Sequence, residues 1–216
     1  MRYPRWRLLL FVCALAVPVY WLYLGAVGAL GPDPGKVLVD NVGQAALVML
    51  LSSLGMTPLQ RITHWTGWIT FRRQLGLWSF AYAAMHVTAY LYFVLGLDFG
   101  DFPTELAERP YIAVGVIAFI GLLALAATSS RWSIRKLGKR WKTLHRIVYL
   151  NVLVVLLHML WVVRSDIGCW SLYAAIAATL LAARLPIVRR RFAARCSRKR
   201  AAYEGKQIGG GVENNR

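Results

Sequence analysis

Four histidines, His64, His86, His145 and His158, are the residues of this chain whose type and setting point to chemistry. His86 lies in the middle of QLGLWSFAYAAMHVTAYLYFVLGL and His158 within IVYLNVLVVLLHMLWVV; His145, in KRWKTLHRIVYL, is expected to open the helix that carries the second run. Neither run contains Asp, Glu, Lys or Arg. An ionisable side chain in such a setting is rare and marks a functional site by default. The plain alternative is a histidine hydrogen-bonded to a neighbouring helix. With no carboxylate within any of the charge-free stretches, a proton relay, a cation site or a di-metal carboxylate centre is disfavoured. Without cysteines nearby, so is an iron–sulfur cluster. Neutral imidazoles from two helices suit an iron porphyrin, whose apolar macrocycle is at home in a helix bundle. His64, beside Trp65 and Trp68, reads as an interfacial polar residue.

Spacing bears on how many such groups there are. His145 and His158 are 13 residues apart, a rise of about 20 Å, which suits two haems stacked across a membrane. At about 100° per residue their rings fall roughly 140° apart. A locally tightened helix or a sideways offset is then needed.

The elements that must hold these histidines follow from the charge-free stretches 8–31, 41–60, 74–97, 110–130, 147–163 and 167–183. A spanning helix needs roughly 20 mostly apolar residues, and none of the six alternates like a barrel strand. The expectation is an all-α integral membrane protein with six transmembrane helices. The second is the weakest, diluted by Asn41, Gly43, Gln44, Ser52 and Ser53. If the spans alternate sides, 23 of the 26 Lys and Arg residues share the side of the N-terminus, and only Lys36, Arg109 and Arg164 lie opposite. Basic residues stay cytoplasmic, so both termini are expected inside. Residues 1–7 form a short cytoplasmic start, 8–188 the membrane domain, and 189–216 a basic, then polar, tail expected to be disordered. The first apolar run exceeds a signal-peptide core and reads as a retained helix.

Composition agrees. Hydrophobic residues make up 58% and charged residues only 16%, with a net charge of +17. Soluble domains carry about 25% charged residues. The basic excess therefore reflects topology and anionic lipid headgroups, and nucleic-acid binding is excluded for want of a soluble basic module. Cys13, Cys169 and Cys196 form no framework or metal spacing and read as ordinary small apolar residues. No internal repeat of useful length is seen.

The run LGKRWKTLHRIVYLNVLVVLLHMLWVV, with RRQLGLWSFAYAAMHVTAY upstream, resembles the ferric-reductase-like transmembrane domain family, the six-helix haem domain shared by ferric reductases and NADPH oxidases. TPLQR, RRQLGLW and RPYIAVG resemble, within it, the haem-binding membrane subunit of a bacterial system that repairs oxidised methionines in periplasmic proteins. The likeness runs from about residue 8 to 188. It implies haem b, one or two per chain, on histidines matching His86, His145 and His158. It implies electron delivery to a periplasmic molybdopterin methionine sulfoxide reductase, and an association with FMN that no residue here places. NADPH oxidases carry two histidines 14 residues apart on the third helix; 14 before His86 stands Arg72. A guanidinium stays charged and does not ligate iron. Arg72 is therefore expected to pair with a propionate of an inner haem on His145, with the outer haem between His86 and His158.

The tail after the sixth run is too short for a flavin and nicotinamide domain, and no G-x-G-x-x-G unit occurs. Electrons are therefore expected to come from membrane quinol or from a separate cytoplasmic flavin reductase, and catalysis is expected on the partner. The competing readings are a stand-alone ferric-reductase-like cytochrome b and, from a different class, a small transporter or an anchor without haem. Reporter fusions test the topology: those within 98–109 should report periplasmic and those within 131–142 cytoplasmic. A cytoplasmic signal from 98–109 would overturn six spans.

Overall fold

The computed structural model describes residues 4–100, 102–163 and 167–184; the tail from 189 onward lies outside them. The described residues form helices and turns, with no strand: α1 (Pro4–Ala26), α2 (Pro34–Thr63), α3 (Gly67–Ala89), α4 (Phe102–Glu108), α5 (Pro110–Ala127), α6 (Arg131–Leu137), α7 (Lys139–Leu144), α8 (Ile147–Val162) and α9 (Ile167–Ala182). Each of the six charge-free runs overlaps a helix. By length and hydropathy, α1, α2, α5 and the stretch Lys139–Val162 are able to cross a membrane, and α9 is a shorter apolar helix.

Local signals set the boundaries. Asp33 caps α2, its carboxylate accepting the Lys36 amide at 3.0 Å, and Pro34 occupies the first turn where no amide partner is needed. Ser130 caps α6 in the same way through the Ser133 amide at 2.9 Å. Gly138, at φ 51°, separates α6 from α7 in a conformation that glycine adopts without strain. The C-terminal end of α3 widens into a π-turn over Tyr90–Val94, where the Leu95 amide reaches back to the Tyr90 carbonyl at 3.1 Å.

The packing centres on two pairs. α2 lies along α3 and α5 along α8, and contacts of α3 with α5 and of α2 with α8 join the pairs. Leu47, Leu54, Tyr82 and Val152 are almost wholly buried among them. Leu8 and Leu22 on α1, Ile117 and Ile120 on α5, and Leu150 and Leu153 on α8 point outward. Apolar exposure on that scale fits a lipid surround.

α1 is attached by a bond that its own sequence makes necessary. Pro18 lies inside α1 and has no amide to donate, which leaves the Ala14 carbonyl without its intrahelical partner. The hydroxyl of the fully buried Tyr82, on α3, donates to that carbonyl at 2.6 Å. A buried acceptor left unpaired costs about 1–3 kcal/mol, so Tyr82→Phe should lower the unfolding free energy in detergent by about that amount. In a Pro18→Ala background, where α1 supplies its own donor, the loss should shrink. Equal losses in the two backgrounds would mean that the hydroxyl has another role.

Candidate functional site

Two of the sequence-selected histidines meet. The rings of His86, from α3, and His158, from α8, have centres 6.3 Å apart and planes at 83°. His86 Nδ1 lies 2.9 Å from the Val39 carbonyl oxygen on α2. His158 Nδ1 lies 2.7 Å from the Tyr111 carbonyl oxygen on α5. A carbonyl only accepts, so Nδ1 is the protonated nitrogen of each ring. In the neutral imidazole the lone pair then sits on Nε2, the nitrogen left for a metal. The bond that orients the ring also selects its tautomer.

The two halves of the site are built alike. Val39, Gly43 and His86 correspond to Tyr111, Gly115 and His158, each pair separated by 72 residues. The same shift carries Ser79 to Asn151, both buried on the inner sides of α3 and α8. Ser79 Oγ donates to the Ala46 carbonyl at 3.0 Å, and Asn151 lies against Gly121. An internal correspondence not visible as a sequence repeat is therefore present in the contacts. Only the histidine, the glycine one helical turn beyond the carbonyl, and a few core positions share residue type.

His145 sits apart from this pair. It does not open α8, as the sequence suggests, but occupies the break between α7 and α8. There the Arg146 amide bonds the Thr143 carbonyl at 3.1 Å and the Tyr149 amide bonds the Arg146 carbonyl at 3.0 Å. These three-residue closures tighten the turn, so the 140° phase expected of an unbroken helix does not apply. His145 Nε2 lies 3.2 Å from Thr128 Oγ1, and its ring is 4.1 Å from that of Trp141. Trp141 Nε1 donates to the Thr128 carbonyl at 2.9 Å. Arg72 is half-buried on α3, its carbonyl accepting Ser53 Oγ at 2.9 Å. The 72-residue shift takes His145 to Arg73, an exposed neighbour of Arg72. His64 is exposed and ends α2 in the left-handed region at φ 56°. Cys13 is exposed, and Cys169 Sγ accepts from Gln44 Nε2 at 3.7 Å.

Comparison with known proteins decides the kinship. Residues 42–157 match the ferric reductase like transmembrane component family. The chain belongs to that family. A relative from Bordetella pertussis, named the protein-methionine-sulfoxide reductase heme-binding subunit MsrQ, is 41% identical over 194 residues, 88% of this chain and 94% of that protein. Within the family match lie Gly43, His86, Gly115 and His145; His158 is the residue immediately after it.

Sequence reading missed Gly43, Gly115 and the two carbonyls. The one signal that could have found them is the equal interval of 43 residues from each glycine to its histidine. It also missed Thr128, which anchors the His145 break through both its hydroxyl and its carbonyl. Thr128→Val removes the hydroxyl and keeps the carbonyl that accepts Trp141. A net hydrogen bond contributes about 0.5–1.5 kcal/mol, so the thermal midpoint of the variant should fall modestly and Thr128→Ser should restore it. An unchanged midpoint for Thr128→Val would show that the contact does not hold the break.

Proposed function

We propose that this chain is the haem b electron-transfer subunit of a two-component methionine sulfoxide reductase system. It lies in the bacterial inner membrane as six spans over 8–188, both termini cytoplasmic. The observation that carries this reading is the pairing of His86 and His158. A metal–imidazole bond is about 2 Å, and a ring centre lies about 1.1 Å from its nitrogen. Two imidazoles presenting Nε2 to one shared metal would therefore have centres about 6 Å apart, and the 6.3 Å between the His86 and His158 ring centres fits such a pair. Among the described residues no three His, Cys, Asp or Glu side chains gather as a bare-ion site. A pair of imidazoles suits an ion whose other four ligands come from a porphyrin.

His86 and His158 would hold this haem, and His145 with Arg72 would hold a second, inner one, the guanidinium pairing with a propionate. When bound, haem would supply one-electron transfer. The residues of the chain bind and orient it. The Val39 and Tyr111 carbonyls fix both rings. The acceptor is a periplasmic molybdopterin reductase that repairs oxidised methionines; the relative's name supports the methionine sulfoxide reductase part of this reading. A cleft of about 290 Å³ at the outer end, lined by Glu108, Arg109, Tyr111 and Trp161, adjoins the residue that anchors His158. The donor is membrane quinol or a cytoplasmic flavin reductase. An apolar cavity of about 380 Å³ beside Trp6, Met56, Trp65 and Phe71 favours the lipid-soluble one. FMN enters by family resemblance.

A reduced-minus-oxidised visible spectrum separates this reading from a transporter or anchor, which would be colourless. His86→Ala and His158→Ala should each remove a low-spin bis-histidine signal, because carbon cannot replace an axial nitrogen. His145→Ala and Arg72→Ala should lower only the haem-to-protein ratio attributable to the inner site. Full low-spin haem in both His86→Ala and His158→Ala would sink the assignment. Reduction of the periplasmic partner separates the reading from a stand-alone ferric reductase.

A further inference from the structure

The two glycines that face the histidine rings occupy the same place in each half of the site. Gly43 follows Val39 by four residues on α2, and Gly115 follows Tyr111 by four residues on α5. In an α-helix the side chain at position i+4 lies beside the carbonyl of residue i. That is why Ser and Thr at such positions bond back to it. A glycine at i+4 uncovers that carbonyl for a group arriving from another helix. A Cβ on Gly43 would stand 2.7 Å from His86 Nδ1 and 2.9 Å from Cε1. On Gly115 it would stand 2.8 Å from His158 Cε1 and 3.0 Å from Nδ1. Real Cβ atoms essentially never approach so closely, and the atoms met belong to a ring held by its own hydrogen bond and not to a flexible chain end. Neither glycine has a positive φ, so backbone conformation does not call for glycine at these positions. The close approach does.

We propose that Gly43 and Gly115 are positioning residues for the two facing imidazoles. Each opens the main-chain carbonyl one turn before it, so that the histidine of the neighbouring helix docks by Nδ1 and presents Nε2 to the shared iron. The chain uses this carbonyl–glycine–histidine unit twice, 72 residues apart, once on α2 and α3 and once on α5 and α8. His145 is not held in this way: its Nε2, and not its Nδ1, takes the local hydrogen bond. The proposal rests on the haem reading of His86 and His158 but assigns residues that reading does not need. Alanine is a better helix former than glycine, so on helix propensity alone either substitution should strengthen its helix. A loss at the iron would be specific to the ring contact.

The test uses the full chain, purified with its haem, as wild type, Gly43→Ala, Gly115→Ala and Gly25→Ala. Gly25 lies on α1, and a Cβ there meets only Leu30 at 3.5 Å, an ordinary contact. Haem-to-protein ratio, haem dissociation and the low-spin electron paramagnetic resonance signal are read together with helical content. Gly43→Ala and Gly115→Ala should hold the haem about 10–100-fold more weakly, the loss that follows when a metal-bound imidazole is deprived of its orienting partner. Their low-spin signal should shift or convert to high spin while helical content stays. Gly25→Ala should match wild type. A second measurement needs no variant. Nuclear–electron double resonance on ¹⁵N-histidine-labelled wild type should find a proton on Nδ1 of both axial rings, and an axial ring lacking it would overturn the proposal. Wild-type haem signals retained in both Gly43→Ala and Gly115→Ala, or an equal loss in Gly25→Ala, would also overturn it. A wild-type protein without low-spin haem would instead remove the reading beneath it.

Discussion

An imidazole has two nitrogens, and committing one to a main-chain carbonyl decides what the other can do. The candidate site depends on that commitment, made at Val39 and Tyr111. In a low-dielectric interior an unpaired ring N–H is costly, and the bond is correspondingly strong. It also sets a demanding register. A slip of one residue along α2 or α5 would turn the accepting carbonyl by about 100° and cover it with a side chain. The four helices α2, α3, α5 and α8 must therefore be placed relative to one another to within a fraction of a turn. The buried Ser79 and Asn151, one on each histidine-bearing helix, supply further points of register.

Much of the architecture is legible in the chain because charge and length dictate it. Six charge-free runs overlap helices, and the histidines in two of them meet. The less legible part concerns the residues that hydropathy treats as defects. Gly43, Gln44 and Ser53 weaken α2 as an apolar segment. Yet Gly43 faces His86, Gln44 reaches Cys169 and Ser53 bonds the Arg72 carbonyl. Their value lies in contacts with helices far along the chain, which a sliding average cannot register.

Two other differences have the same origin. The phase assigned to His145 assumed a continuous helix, whereas three-residue closures at Thr143–Tyr149 reset the rotation there. The internal correspondence leaves no sequence repeat because it is written in contacts. Val39 matches Tyr111, and Ser79 matches Asn151, with no identity between the members of either pair. A backbone carbonyl has no side-chain signature, so a site that uses two of them is half silent in sequence.

Tyr82 and Ala14 are 68 residues apart, yet they share a hydrogen bond that α1 cannot replace from within. Ribosomes add about 5–20 residues per second, so the Ala14 carbonyl is made roughly 3–14 s before the hydroxyl that completes it. Through that interval the helix carries an unsatisfied acceptor where the bilayer offers no donor. Proline in the first span thus links the assembly of the membrane domain to the order of its synthesis, and the completing residue, Tyr82, lies only one turn before His86.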